Sequence, residues 1–140
     1  MNADGTNIVN ITKTKDYEAF PVWSPDGSHI AFSTFVNGGP SQIYTLNLAS
    51  KVKTKLTEFK GFCQIISLSW SPDGHSLAFT LQKIGSESIY IINANGSNLH
   101  PITDENSQRA RNADWTGHNF WSVSPKGKVA IVWARIKSFE

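Results

Sequence analysis

The stretch Trp23-Ser24-Pro25-Asp26-Gly27 occurs again, unchanged, as Trp70-Ser71-Pro72-Asp73-Gly74, 47 residues further along the chain. Each copy is followed by a similar apolar run, His29-Ile30-Ala31-Phe32-Ser33 after the first and Ser76-Leu77-Ala78-Phe79-Thr80 after the second. In each copy the tryptophan is expected to end a buried strand, proline presets φ for a turn, and Asp-Gly favours the turn itself. A second strand then runs back, so the repeated stretch predicts two β-hairpins.

Further patterns recur with a compatible spacing. The segment Asn2–Ile8 is similar to Asn93–Leu99, 91 residues later, and Ile43-Tyr44 returns as Ile89-Tyr90, 46 residues later. A period of about 46 residues places three repeats in the chain. The predicted repeats are residues 13–57, 58–103 and 104–140, and residues 1–12 are predicted to be a fourth strand that completes one of the sheets.

The first two repeats each divide into four short runs with β-strand character, separated by turn-forming residues. No segment has a convincing helical period, so the chain is predicted to be all β. The predicted strands are Ala19–Ser24, His29–Phe35, Ser41–Asn47 and Lys53–Thr57 in the first repeat, and Ile65–Ser71, Ser76–Leu81, Ser88–Asn93 and Asn98–Thr103 in the second.

The third repeat is degenerate and allows two alignments. In one, Ser122–Gly127 matches the Trp-Ser-Pro-Asp-Gly turn. In the other, Trp115-Thr116-Gly117 is the decayed turn. The spacing favours this second alignment, because Trp115 follows Thr103 by 12 residues, while Trp23 follows Thr12 by 11 and Trp70 follows Thr57 by 13. The favoured alignment predicts strands at Phe120–Ser124 and Val129–Ile136, joined by a turn at Pro125–Lys128, and leaves Thr6–Thr12 as a fourth strand without its own sheet.

Length and composition are those of one globular domain. The chain has 140 residues, of which 39% are hydrophobic and 17% charged. A net charge of +2 is too small to indicate binding to nucleic acid. The sequence has neither an apolar run long enough to span a membrane nor a signal peptide. Its single cysteine, Cys63, excludes an internal disulfide and is expected to be a small buried hydrophobe.

Four-stranded repeats of about 40–50 residues are typical of β-propeller blades. The Trp-Ser-Pro-Asp-Gly turn, the Ile-Ala-Phe strand, the Ile-Tyr strand and the closing Leu-Thr together resemble the TolB-type repeat, a relative of the Trp-Asp repeat. The resemblance covers nearly the whole chain. It implies an all-β propeller with three four-stranded blades per chain, which would make half of a six-bladed ring.

The resemblance implies a non-enzymatic scaffold that binds a protein or peptide at the mouth of the propeller channel. A periplasmic or secreted location would follow from it, although this sequence carries no leader. Two alternatives remain open at this point. One is a fragment of the gating propeller of a prolyl-oligopeptidase-type serine peptidase, and the other is a sugar- or ligand-binding propeller in which Trp121 and Trp133 form the platform.

The loops that join a fourth strand to the next first strand are the candidate binding site. They differ from one another while the turns around them repeat, as expected for recognition loops carried by a rigid scaffold. In a propeller they lie around one mouth of the channel, where acidic side chains could also hold Ca²⁺. The candidate protein-binding residues are Asp16, Tyr17, Glu18, Lys60, Phe62, Asp104, Glu105 and Arg109.

No catalytic residues or required cofactor are predicted, because the sequence lacks the known nucleophile, phosphate-loop, dinucleotide and zinc-protease motifs. The histidines fall in separate turns and strands and do not predict a metal site. The repeated motif residues are given structural roles in turns and between blades. They are Trp23, Pro25, Asp26, Gly27, Trp70, Pro72, Asp73, Gly74 and Trp115.

A homodimer is expected, because three blades are too few to close a ring and propellers typically have four to eight. Two chains related by a twofold axis would bury the end faces of both arcs. The N-terminal strand Thr6–Thr12 would then complete the third blade of the partner chain.

Overall fold

The computed structural model describes residues 4–35, 38–104, 113–116 and 135–136. These residues form two four-stranded antiparallel sheets, here called blade 1 and blade 2, and one two-stranded pair. Both sheets have the simple strand order of consecutive hairpins, which confirms the prediction of an all-β propeller-type fold. Blade 1 contains β1 Tyr17–Trp23, β2 His29–Phe35, β3 Gln42–Asn47 and β4 Lys53–Lys55, and blade 2 contains β5 Gln64–Trp70, β6 Ser76–Lys83, β7 Ser86–Asn93 and β8 His100–Pro101.

The two Trp-Ser-Pro-Asp-Gly stretches form the same tight hairpin. In blade 1 the Ser24 amide donates to the His29 carbonyl at 2.9 Å and the Gly27 amide donates to the Ser24 carbonyl at 2.9 Å. Gly27 has φ +69° and Gly74 has φ +71°, a left-handed conformation that glycine adopts without steric cost. The hairpins therefore lie where the sequence predicts them.

The fourth strands are shorter than predicted. β4 ends at Lys55 rather than Thr57, and β8 is only His100–Pro101. The threonine that follows each strand bonds to the neighbouring third strand through its hydroxyl group: the Ile43 amide donates to Thr57 Oγ1 and the Ile89 amide to Thr103 Oγ1, both at 2.9 Å. Side-chain acceptors thus replace the last rungs of each ladder.

Blades 1 and 2 pack face to face over a single apolar core. Blade 1 contributes Ala31, Ile43 and Leu56 to this core. The blade 2 residues in it include Phe79, which is fully buried and stacks on Tyr90 with ring centroids 5.6 Å apart. Ile30, Phe32 and Leu46, which alternate with the inward residues of β2 and β3, form a separate buried cluster on the other face of blade 1.

The tryptophans of successive repeats occupy equivalent positions but differ in burial. Trp70 Nε1 donates to the Val22 carbonyl at 3.2 Å, and Trp115 Nε1 donates to the Ser69 carbonyl at 3.2 Å. In both cases the acceptor is the residue before the tryptophan of the preceding repeat. Trp23 is 63% exposed, although it was expected to pack between blades, because no described sheet precedes blade 1.

The third repeat follows the prediction only in part. Its alignment on Trp115 agrees with the indole contact to Ser69, but Trp115–Thr116 is a short strand, β9, and not a turn. β9, whose Trp115 aligns with the tryptophans of the first strands β1 and β5, pairs directly with β10, Arg135–Ile136. Arg135–Ile136 therefore lie next to the first strand of this repeat and not in the predicted third position. The predicted strand Phe120–Ser124, the turn Pro125–Lys128 and residues 129–134 lie outside the described residues.

The N-terminal segment Thr6–Thr12 is not paired with any strand in the described part of the chain. It was predicted to complete the third blade of a partner chain, and that pairing stays a prediction. A fourth strand requires the edge of a third strand, and both third strands described here, β3 and β7, already pair with β4 and β8.

Candidate functional site

The loops that lead into β1 and β5 lie at one end of the two blades. We call residues 13–18, 58–63 and 104–109 the mouth loops. The strand order places the first two at the end where β1 and β5 begin, opposite the Pro-Asp-Gly turns. Of the third mouth loop only Asp104 is described, so Glu105 and Arg109 lie outside the described residues.

The base of the first mouth loop is held by Glu18. Thr12 Oγ1 donates to Glu18 Oε2 at 2.6 Å, and Thr14 Oγ1 donates to Glu18 Oε1 at 2.9 Å. Lys53 Nζ lies 3.6 Å from Glu18 Oε1 and 4.5 Å from the centroid of the Tyr44 ring. Glu18 therefore helps to order the loop, and the direct partner contact that was predicted for it stays a prediction.

The exposed part of the first mouth loop consists of Asp16 and Tyr17. Tyr17 is 73% exposed although it is the first residue of β1. A large exposed ring that carries a hydroxyl group suits protein recognition, since it offers apolar area and a hydrogen bond at once. These two residues are available to a partner as predicted, and their binding role stays a prediction.

Gln42 anchors the second mouth loop from β3. Its Nε2 donates to the Phe59 carbonyl, and its Oε1 accepts from the Phe59 amide and from Thr57 Oγ1, all at 2.9 Å. The Phe59 ring packs against Phe79, with centroids 6.0 Å apart and planes tilted by 60°. Both the backbone and a side chain thus fix the start of this loop to the blade.

The tip of the second mouth loop carries Lys60, Gly61 and Phe62. Lys60 is exposed and the Phe62 side chain is 55% exposed. The next residue, Cys63, is buried, and burial raises the pKa of its thiol. The loop therefore offers one cation and one aromatic ring to solvent, whereas its cysteine belongs to the core.

An apolar cleft of about 320 Å³ lies beside the mouth loops, between the first strands of the two blades. Phe20, one of the residues that line it, has φ +53° and lies at the β-bulge between Ala19 and Val22. A positive φ is unusual for an aromatic residue and often occurs at functional sites. The cleft is lined by Tyr17, Ala19, Phe20, Ser33, Phe35, Ser41, Gln64, Ile65 and Ile66.

Sequence reasoning did not identify Phe20 or this cleft. Pro21 was the available signal, because proline inside a strand usually marks an edge or a bulge. The equivalent strand β5 also has a bulge, between Ile65 and Ser67. Both first strands therefore bend at the level of the cleft, near the proposed channel mouth.

A larger cleft, about 760 Å³, lies at the opposite end between the two Pro-Asp-Gly turns. Its carboxylates bond within their own turns: Asp26 accepts from the Ser28 amide at 3.0 Å and Asp73 accepts from the His75 amide at 3.0 Å. Hydrogen bonds from Ser24 and Ser28 hold the pKa of Asp26 well below its usual range, and one from Ser71 lowers the pKa of Asp73. These carboxylates are committed to turn structure.

The imidazole ring of His29 is fixed by contacts on both sides. Its Nδ1 lies 2.6 Å from Ser28 Oγ and its Nε2 lies 3.1 Å from Asn47 Nδ2. The ring is therefore held on both sides and half-buried. His75, at the equivalent turn of blade 2, is exposed.

No set of three or more His, Cys, Asp or Glu side chains in the described ranges is arranged to hold a metal ion. Because Glu105 lies outside those ranges, Ca²⁺ at the channel mouth remains an untested expectation. Over the same ranges, no helix is long and apolar enough to cross a membrane.

A family model described as "TolB beta propeller domain" matches residues 1–133. The chain is 34% identical over 94 residues to the "Protein TolB homolog" of Chlorobaculum tepidum, covering 67% of this chain and 21% of the relative. It is 38% identical over 84 residues to the "Tol-Pal system protein TolB" of Alcanivorax borkumensis, covering 60% and 19%. The chain thus spans about a fifth of the length of the curated relatives it matches.

Two solved structures show the same fold. The TolB structure from Acinetobacter baumannii superposes with a TM-score of 0.67 at 28% identity, over 81% of this chain and 28% of that one. An oligogalacturonate lyase in complex with manganese superposes with a TM-score of 0.59 at 22% identity, over 73% of this chain and 27% of the lyase. At that identity the lyase indicates a common fold only.

Proposed function

Because this chain belongs to the TolB β-propeller domain family, we propose that it is a non-enzymatic scaffold that binds a protein or peptide through its mouth loops. The observation that carries the proposal is the contrast within each described loop. Glu18 and Gln42 hold the loop bases by several hydrogen bonds, while Tyr17 and Phe62 remain exposed.

Such an arrangement favours binding because the loop backbones are ordered before a partner arrives. Ordering a loop on association costs free energy, and a preorganised loop avoids much of that cost. Exposed aromatic rings beside an apolar cleft supply the kind of anchor that dominates protein interfaces. An apolar side chain of the partner would enter the cleft at Phe20, and Lys60, at the tip of the second mouth loop, would attract an acidic group of the partner.

The partner class follows from the names of the relatives. The Alcanivorax borkumensis relative is a Tol-Pal system protein. We infer that the partner of this chain is another protein of a Tol-Pal system, and that no substrate is turned over at the mouth.

The test is to titrate the purified Pal component of a Tol-Pal system into this chain and to measure the affinity by isothermal titration calorimetry. Phe62→Ser should weaken binding at least about tenfold, since truncating an interface hot spot typically costs about 2 kcal/mol or more. Val52→Ser is the matched control, because Val52 is 56% exposed, close to the 55% of Phe62, and lies in the turn between β3 and β4 at the opposite end.

Phe62→Ser should lose affinity for Pal, and Val52→Ser should retain it. Loss of affinity in Val52→Ser or His75→Ala with none in Phe62→Ser would move the binding face to the Pro-Asp-Gly end. Absence of any binding by the unmodified chain would contradict the Tol-Pal partner.

A further inference from the structure

The imidazole ring of His29 connects two turns of blade 1. On one side, at the end of the Pro-Asp-Gly turn, Ser28 Oγ lies 2.6 Å from His29 Nδ1. On the other side, at the start of the turn between β3 and β4, Asn47 Nδ2 lies 3.1 Å from His29 Nε2. A half-buried histidine whose two nitrogens both have polar neighbours makes contacts that depend on where its protons lie.

The backbone of the β3–β4 turn determines the orientation of the Asn47 side chain. Asn47 Oδ1 accepts from the Ala49 amide at 3.0 Å and from the Ser50 amide at 2.9 Å. Backbone amides can only donate, so the oxygen of the side chain must face them and its NH₂ group must face His29. Asn47 Nδ2 therefore donates to His29 Nε2, and in this arrangement Nε2 carries no proton.

Asp26 determines the proton on the other ring nitrogen. Hydrogen bonds from Ser24 and Ser28 hold the pKa of Asp26 well below its usual range, so its carboxylate only accepts hydrogen bonds. Ser28 Oγ has a single proton and donates it to Asp26 Oδ2 at 2.7 Å. His29 Nδ1 must then donate to Ser28 Oγ. One form of the ring satisfies all of these contacts, the neutral form with its proton on Nδ1.

We propose that protonation of His29 releases the Asn47 side chain, so that the ring acts as a pH switch for the turn between β3 and β4. A second proton on the ring can bind only at Nε2, where it would face the Asn47 NH₂ group. Two donors cannot form a hydrogen bond with each other, whereas the bond from Nδ1 to Ser28 Oγ is retained. Asn47 then loses its anchor on β2, and its oxygen holds the Ala49 and Ser50 amides less firmly.

Ionisable groups from both blades surround the ring. The larger cleft that His29 lines also has Asp26, Asp73 and His75 in its walls. Lys51 is the ionisable residue among residues 48–52 of the β3–β4 turn, and it is exposed. The pKa values of both carboxylates are lowered, so they stay charged between pH 5 and 8, the range in which histidine ordinarily changes charge. In that range the charge of the cleft wall therefore changes through its two histidines, and of these His29 contacts Asn47.

Blade 2 contains the equivalent turns with a different contact. Ser76 occupies the position of His29, and Asn93 occupies that of Asn47. Asn93 Nδ2 donates to Ser97 Oγ at 2.9 Å, a bond that lies within its own turn and involves no titratable group. The turn at residues 93–97 should therefore keep its hydrogen bonds between pH 5 and 8, and it provides an internal reference.

Nitrogen-15 NMR of the histidine rings measures where the protons lie, and amide hydrogen exchange measures the state of the turn. At about pH 8, His29 Nδ1 should carry the ring proton and Nε2 should carry none. Exchange rates of the Ala49 and Ser50 amides, each divided by its intrinsic rate at the same pH, should rise about threefold to tenfold between pH 8 and pH 5, as expected for the loss of one hydrogen bond. The Ser97 amide should show no such rise. This switch does not depend on the proposed function of the mouth loops, which lie at the other end of the blades.

Two substitutions at His29 separate the contact from its titration. His29→Gln offers an amide oxygen that can accept from Asn47 and does not titrate, so the turn should exchange slowly at both pH values. His29→Phe removes the acceptor, so exchange should be fast at both. His75→Gln is the matched control, and its β3–β4 turn should behave as in the unmodified chain.

Three results would overturn the proposal. The first is a proton on His29 Nε2 at pH 8. The second is exchange of the Ala49 and Ser50 amides in the unmodified chain that does not accelerate between pH 8 and pH 5. The third is an acceleration in His29→Gln as large as in the unmodified chain.

Discussion

Asp26 shows at the residue scale how one carboxylate stabilises a turn. Ser24, Ser28 and the Ser28 amide all donate to it, and these bonds hold its pKa well below the ordinary value of 3.8. A group whose pKa is lowered by folding stabilises the folded state above its unfolded pKa, and that stabilisation is lost as the pH falls through the folded pKa.

The stability of Asp26→Asn should therefore decrease less than that of the unmodified chain as the pH falls below about 4. Urea midpoints measured from pH 6 to pH 2 should differ between the two proteins at the upper end and converge at the lower end. Asp16→Asn, at the other end of the sheet, makes the same change in net charge and should preserve the decline due to Asp26. Equal slopes for Asp26→Asn and the unmodified chain would show that these hydrogen bonds do not couple folding to pH.

Trp70 joins the two blades, so its truncation should be costly. Trp70→Ala is expected to destabilise the protein by about 3 kcal/mol, at the lower end of the range for buried aromatics because Trp70 is only partly buried. His75→Ala, five residues further on at an exposed turn, should cost less than about 0.5 kcal/mol. Similar melting temperatures for the two variants would contradict the packing described for the Trp70 indole.

The identical pentapeptides also show how far residue patterns predict structure. The turns at Gly27 and Gly74 follow from local chemistry and were predicted correctly. The difference between Trp23 and Trp70 could not be predicted from that chemistry, because burial depends on whether another sheet lies alongside. The positive φ of Phe20 likewise depends on a bulge in a specific pairing with β2.

Each fourth strand, at the scale of the element, is closed by a threonine that acts as part of the ladder. Thr57 is buried, accepts from the Ile43 amide and donates to Gln42. Thr57→Val would keep the shape of the side chain, but the Ile43 amide would lose this acceptor and Gln42 Oε1 would lose one donor. The expected loss of unfolding free energy is about 1–3 kcal/mol, the cost of leaving a buried polar group unsatisfied.

Thr54→Val is the control for this change, because Thr54 is exposed in β4, three residues before Thr57. It should alter stability by less than about 0.5 kcal/mol. Chemical denaturation of both variants would measure the difference, and a Thr57→Val protein as stable as the control would mean that the hydroxyl is not part of the ladder.

Strand existence was easier to predict than strand ends. The eight strands of blades 1 and 2 were expected from alternating apolar runs between turn residues, and all eight are present. The ends of β4 and β8 differ because side-chain hydroxyls replace backbone rungs, which a propensity pattern does not register. The third repeat lost most of its motif, so its alignment depended on spacing alone, and the observed pairing of β9 with β10 was missed.

The whole molecule is expected to have no catalytic activity of its own. Its acidic groups at the Pro-Asp-Gly end are engaged in turns, and Glu18 is engaged in anchoring a loop. Peptidase, esterase and glycosidase assays with purified protein should remain at the buffer background. Turnover that a single point substitution abolishes would contradict this expectation.

The location of the binding face can be measured by hydrogen exchange of the whole chain with and without a bound Pal component. Binding at the mouth loops predicts slower exchange in residues 13–18 and 58–63, with no change in the turns at 24–29 and 71–76. Protection of those turns, with unchanged exchange in the mouth loops, would contradict the proposed binding face.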